Sequence, residues 1–221
     1  MDDFLLIIAN KKYSSWSMRP WLLMKQLGIP FQEKYIPLYQ PGYQQALAPY
    51  SPSLKVPALR HGPLTVWDSL AICEYVAERH PQAWPQDPAA RAVARSVSAE
   101  MHSGFQAMRS ELTCNLGARY AWQACGEAVM ADMARVEAIW ADCRKKYGSG
   151  GPWLFGAFSI ADAMFAPVAT RFVTYNVPIS PISQEYVNTV FQSPAFQAWQ
   201  AGALAEKEVI PQYEYTHWKR L

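Results

Sequence analysis

The chain predicts an α/β unit over residues 1–80 joined to an all-helical unit over residues 91–221, and three observations carry that prediction. An unbroken apolar run, Phe4-Leu5-Leu6-Ile7-Ile8-Ala9, has the composition of a strand covered on both faces. Strand-like and helix-like segments then follow one another in the order βαβ…ββα as far as His80. Pro81, Pro85 and Pro88 punctuate residues 81–90, a stretch without periodicity that reads as a linker, and from Arg91 onward the apolar spacing is helical.

Each element has a local reason. Pro20 lacks an N–H and clashes with the carbonyl four residues back, which places it in the first turn of a helix capped near Ser17. That helix carries Trp21, Leu22, Met24 and Leu27 and stops at Gly28, a residue suited to the left-handed conformation. Phe31 to Ile36 reads as a second strand. Pro37, Pro41, Gly42, Pro49 and Pro52 make the following segment irregular or short-helical, and long loops in compact domains often bind ligands. Pro57 to Arg60, the turn His61-Gly62-Pro63 and Leu64 to Trp67 form a hairpin, after which Asp68 opens a helix to about His80. Beyond the linker, helices are expected near 91–116, 123–147, 159–175, 183–191 and 194–205. Ser159-Ile160-Ala161-Asp162 sets a hydroxyl at an N-cap and a carboxylate at N3, a reciprocal cap that serves folding and not chemistry.

Composition removes several functions. At 221 residues, with 51% hydrophobic and 17% charged, the chain is long and apolar enough to bury a core. No apolar run of about 18 residues is present to span a membrane. The acidic start Met1-Asp2-Asp3 lacks the basic opening of a secretory signal, so a cytoplasmic protein is expected. A net charge of +2 without a clustered basic face argues against nucleic acid. Cys73, Cys114, Cys125 and Cys143 have no metal-ligand or paired spacing and are expected to be reduced and largely buried.

Chemistry concentrates at three places. Tyr13-Ser14-Ser15-Trp16-Ser17-Met18-Arg19-Pro20 sets hydroxyl donors between a strand and a helix start. Pro57 forces Val56 into an extended conformation and removes a ladder donor, leaving Val56 backbone free at a sheet edge to pair with a peptide. Asp68-Ser69 at a helix start offers a hydroxyl, N–H groups and a carboxylate, and taken alone reads as an N-cap.

In this order the motifs resemble the cytosolic glutathione transferases over nearly the whole chain, and most closely a serine-type bacterial member near the zeta class. The resemblance implies a thioredoxin-like N-terminal domain plus an all-α C-terminal domain, glutathione as co-substrate, no metal, and a homodimer. Ser14 to Arg19 is similar to the Ser-Ser-Cys region of the zeta class, with Trp16 where that class has cysteine. Lys55-Val56-Pro57 resembles the stretch with the cis-proline, Asp68-Ser69 the pair that holds the γ-glutamyl end, and Phe158 to Asp162 the buried capping box.

The implied reaction adds the glutathione thiolate to an apolar electrophile. Ser14 is the expected thiolate donor, Ser15 the close second and Tyr13 a rival, with Ser17 assigned to capping. Gln45 and Lys55 are expected at the glycyl or cysteinyl end. His102, Phe105 and Arg109 lie within two helical turns and are expected to line the second-substrate wall. The alternatives are a maleylacetoacetate-type cis–trans isomerase, in which Arg109 holds a dicarboxylate, and a non-catalytic glutathione-binding module.

Overall fold

A computed structural model describes residues 3–215 and 217–221; Met1 and Asp2, part of the acidic start noted above, lie outside the described residues, as does Thr216. The N-terminal part contains β1 (Phe4–Ile8), α1 (Ser15–Gln26), β2 (Gln32–Tyr35), α2 (Tyr43–Leu47), β3 (Ala58–His61), β4 (Leu64–Trp67) and α3 (Ser69–Ala77). The sheet order is β2-β1-β3-β4, with β1 parallel to β2 and antiparallel to β3, and β3 antiparallel to β4. Alternation along β1 feeds two cores: Leu6 and Ile8 face α1 and α3, while Ile7 packs with Ile36, Leu47 and Ala58. Both faces of β1 are therefore covered, as its unbroken apolar run required.

α1 begins earlier than the position of Pro20 suggested. The Asn10 carbonyl accepts from the N–H groups of Tyr13 at 3.1 Å and Ser14 at 2.8 Å, closing a turn directly after β1. Ser14 Oγ then accepts from Ser17 N at 3.3 Å, so Ser14, not Ser17, is the N-cap. Pro20 sits inside the helix, past its first turn, and the carbonyl it leaves without a helical donor is that of Trp16. The helix ends as expected, with Gly28 at φ +67°.

The helical part contains α4 (Pro88–Ser103), α5 (Gln106–Glu111), α6 (Glu127–Tyr147), α7 (Ile160–Thr174), α8 (Pro181–Gln192) and α9 (Pro194–Ala205). The single helix expected over 91–116 is two helices. The Gly104 N–H still closes on Glu100 O at 2.8 Å, but the backbone then leaves the helix and Phe105 turns left-handed at φ +61°. A Cβ at Gly104 would lie 2.9 Å from Glu100 O, which is why the break falls on glycine.

α7 is buried along almost its full length and packs against α1, α4 and α8. Asp162 at its start accepts from Leu154 N at 3.0 Å, Ser159 N at 2.8 Å, Ser159 Oγ at 3.1 Å and Tyr186 OH at 3.2 Å. The capping box is thus a buried knot tying α7 to α8. One apolar cluster runs from Leu6, Met18 and Leu23 through Phe165, Phe172 and Trp199, so packing is continuous from sheet to helices. No helix among the described residues is long and apolar enough to cross a membrane.

Residues beyond α9 return as a strap. Glu206 accepts from the backbone N–H groups of Lys11 at 2.5 Å and Lys12 at 3.1 Å, and Glu214 receives Tyr13 OH at 2.6 Å and Asn115 Nδ2 at 3.0 Å.

Candidate active site

A cleft of about 790 Å³ opens where the start of α1 meets the helical part. It is lined by Ser14, Ser15 and Trp16, here its floor, by residues 53–56, by Arg109 and Arg171, here its arginine wall, and by Tyr39 and Tyr213, here its mouth. The two mouth hydroxyls stand 3.3 Å apart. Tyr39 and Leu54 hold positive φ values of +59° and +54°, backbone conformations uncommon for such side chains and found where a site constrains them.

The three hydroxyls of the motif have different duties. Ser14 donates to Ser17 Oγ at 2.8 Å while capping the Ser17 N–H, so both its roles are occupied within the helix start. Ser17 is fully buried and also accepts from Ala9 N at 3.2 Å, tying α1 to the end of β1. Ser15 Oγ accepts from Arg171 Nη2 at 3.5 Å, leaving its own proton available to a ligand in the cleft. Tyr13 lines the cleft, but its hydroxyl is given to Glu214 and its pKa is driven up by burial and then by that carboxylate. It is poorly placed to give the same proton to a thiolate.

Three arginines surround this floor. Arg19 is buried, with Nη1 3.4 Å from Ser69 Oγ and Nε without a hydrogen-bond partner. Burial, then the charges of Arg109 and Arg171, lower it to about 9. Arg109 donates to the carbonyls of Met101 and His102, and burial followed by Arg171 brings it to about 10. Arg171 donates to Leu112 O, and burial is the main cause lowering it too. Among the described residues none of the three has a carboxylate within ion-pair distance. The wall is therefore positively charged and suited to an anion.

The remaining expected residues divide. Lys55 and Val56 line the cleft, and the Val56-Pro57 peptide is cis. Val56 precedes an inner strand, β3, so its backbone lies at a strand end and not along an exposed sheet edge as the sequence suggested. Gln45 does not line the cleft; Gln44 does, because one step along α2 turns the side chain by about 100°. Asp68 and Ser69 lie at the start of α3 outside the cleft lining, Asp68 at φ +76° with its carboxylate on Leu70 N and Ala71 N. Ser69 is buried in front of Arg19.

The expected helix face of His102, Phe105 and Arg109 does not exist, because the chain breaks at Gly104. Only Arg109 reaches the cleft. Phe105 belongs to the core, and His102 places Nε2 3.2 Å from Asp68 Oδ2 and its ring edge-on to Trp16.

Sequence reasoning missed Arg171, Asn10, Cys114 and the mouth tyrosines. Arg171 had a readable signal: it is the one charged residue in the run from Ala163 to Thr174, otherwise apolar or small. Asn10 organises the loop through its side chain, accepting from Leu38 N at 2.9 Å and donating to Tyr35 OH at 2.7 Å. Tyr39 and Tyr213 come together only through folding. Among the described residues no group of three or more His, Cys, Asp or Glu side chains is arranged to hold a metal ion.

A mixed four-stranded domain with a cis-proline, joined to an all-helical domain, defines a thioredoxin-like architecture with a helical partner domain. The glutathione S-transferase N-terminal domain model matches residues 13–79 and the C-terminal domain model residues 91–199, and the chain belongs to the glutathione S-transferase family. Within it, the chain is 30% identical over 173 residues to the maleylacetoacetate isomerase of Rattus norvegicus, covering 76% of this chain and 77% of that protein. It is 28% identical over 192 residues to a probable maleylacetoacetate isomerase of Caenorhabditis elegans, covering 83% and 86%. A Burkholderia glutathione transferase homologue with bound glutathione superposes with a TM-score of 0.69 at 24% identity, over 91% of this chain and 98% of that one.

Proposed function

We propose that this glutathione transferase seats glutathione along residues 53–56 with its sulfur at Ser15, and adds the thiolate to an electrophile that joins an apolar reacting carbon to an acidic group. One observation carries the reading: a hydroxyl with an uncommitted proton stands at a helix start in the same cleft as two guanidinium groups that lack carboxylate partners among the described residues.

A free thiol near ~8.5 is a few per cent ionised at neutral pH, and the thiolate is the nucleophile. Lowering it by about two units requires roughly 2.7 kcal/mol of preference for the ionised form. A hydrogen bond to a charged acceptor contributes roughly 1.5–3 kcal/mol, and a helix N-terminus about 0.3–1 kcal/mol. Ser15 and the start of α1 together supply that amount. The thiol proton leaves to solvent, the sulfur attacks carbon, and the leaving group departs with its bonding pair while Arg109 and Arg171 hold the acidic end.

Asp68 and Ser69 are assigned to the γ-glutamyl amine and carboxylate, with Arg19 behind Ser69 reinforcing the attraction for the carboxylate. Lys55 takes the glycyl end. Thiolate absorbance of bound glutathione against pH tests the central step. A bound thiol at least about one unit below free glutathione is expected, and binding with an unshifted thiol overturns it.

Isomerisation is the second reading, favoured by the pair Arg109 and Arg171, which suits two acidic ends, and by the maleylacetoacetate isomerase relatives. There the thiolate adds to a double bond, the single bond rotates and the thiolate leaves, so glutathione is not consumed. Turnover of maleylacetoacetate at constant glutathione separates the two. We further assign the protein to the cytoplasm, where its four unpaired cysteines stay reduced, and to a homodimer, for which light scattering should give twice 25.0 kDa.

A further inference from the structure

Arg109 is fixed in the cleft wall by uncharged partners. Its guanidinium carbon stands 4.8 Å from the centre of the Trp16 ring, and its Nη2 donates to the carbonyls of Met101 and His102 in the last turn of α4. Arg19 lies 4.2 Å from the same ring, and the His102 imidazole meets it edge-on at 5.3 Å. One indole therefore serves two guanidinium groups that repel each other.

The choice of partner matters physically. A carboxylate in this place would neutralise Arg109 and remove its attraction for a ligand. A small side chain would leave the buried Arg19 and the half-buried Arg109 with no compensating face. An aromatic ring attracts each cation through its quadrupole while carrying no net charge. The positive charge is thus retained and aimed, and the planar guanidinium is held at one orientation.

We propose that Trp16 is a positioning residue that holds Arg109 charged and oriented in the cleft, and through it sets the preference for acidic over neutral electrophiles. The proposal rests on the reading that the cleft receives an acidic electrophile. It gives Trp16 a role that a cysteine at this place in the motif would not supply.

The test uses 4-(chloromethyl)benzoate and 4-(chloromethyl)benzamide, which share the reacting carbon and chloride leaving group and differ in charge. In each, the glutathione sulfur bonds to the benzylic carbon as chloride departs. The ratio of kcat/KM for acid over amide is measured in the wild type, Trp16→Leu, Trp16→Phe and Arg109→Ala. Trp16→Leu should lower the ratio about tenfold, mainly through KM for the acid, and Trp16→Phe should recover most of it because it keeps a π face. Arg109→Ala should lower the ratio at least as far.

If Arg109→Ala lowers the ratio but Trp16→Leu does not, or if Trp16→Phe is as impaired as Trp16→Leu, the role given to Trp16 is wrong while the acidic-electrophile reading stands. A wild-type ratio near one, unchanged in Arg109→Ala, overturns both. Trp16→Phe and Arg109→Ala keep the question decidable should Trp16→Leu fail to fold.

Discussion

Neighbouring serines in this chain have separable duties, because one hydroxyl caps a helix and the next faces the cleft. Ser14 gives up both hydrogen-bonding roles to the first turn of α1, whereas Ser15 accepts from Arg171 and keeps its proton. Ser15→Ala should therefore lower kcat/KM by about 10–100-fold, the equivalent of one hydrogen bond to a charged sulfur, and should move the rising limb of its pH profile upward. Ser14→Ala should instead cost about 1 kcal/mol of stability, seen as an earlier denaturant midpoint. The reverse pattern would return the donor role to Ser14. Sequence pointed to a hydroxyl donor at this strand-to-helix junction and ranked Ser14 ahead of Ser15; the proposed order is the reverse, since the ranking depends on where the turn closed by Asn10 starts the helix.

Helix boundaries decided the arginine wall. A continuous helix over 91–116 would have aligned His102, Phe105 and Arg109, yet the break at Gly104 sends Phe105 to the core and only Arg109 to the cleft. The signal was present in the glycine, but its meaning rests on the 2.9 Å separation a Cβ would have from Glu100 O. The capping box at α7 was legible because its residues are adjacent in sequence; what folding adds is complete burial and Tyr186. Burial raises the Asp162 carboxyl from 3.8 to about 6, against the pull of its hydrogen-bond donors. Between those values the folded form holds a proton that the unfolded form has released, so this group's contribution to stability falls as pH rises through that window and is level beyond it. Compared in denaturant melts, the advantage of the wild type over Asp162→Asn should accordingly narrow between about pH 4 and pH 6. An advantage that widens over that range would mean that the donors outweigh burial.

Across the whole molecule the strap after α9 joins parts distant in sequence. Glu206 satisfies two backbone N–H groups at Lys11 and Lys12, and Glu214 engages Tyr13 and Asn115. Glu206→Ala should cost about 1.5–3 kcal/mol, as expected for loss of a charged acceptor, and limited proteolysis should then cut faster within residues 206–215. Unchanged protection would show that the remaining contacts hold the strap alone. Sequence by itself determined the α/β-then-helical order, the family, the serine-bearing helix start and the capping box at α7, because each is encoded by residues close along the chain. Tertiary structure alone decided that Tyr13 is spent on Glu214, that Gln44 replaces Gln45 in the cleft lining, and that Arg171 meets Ser15. Those outcomes depend on packing between segments far apart in sequence, where burial and distance, not local pattern, fix which polar atoms remain free for a substrate.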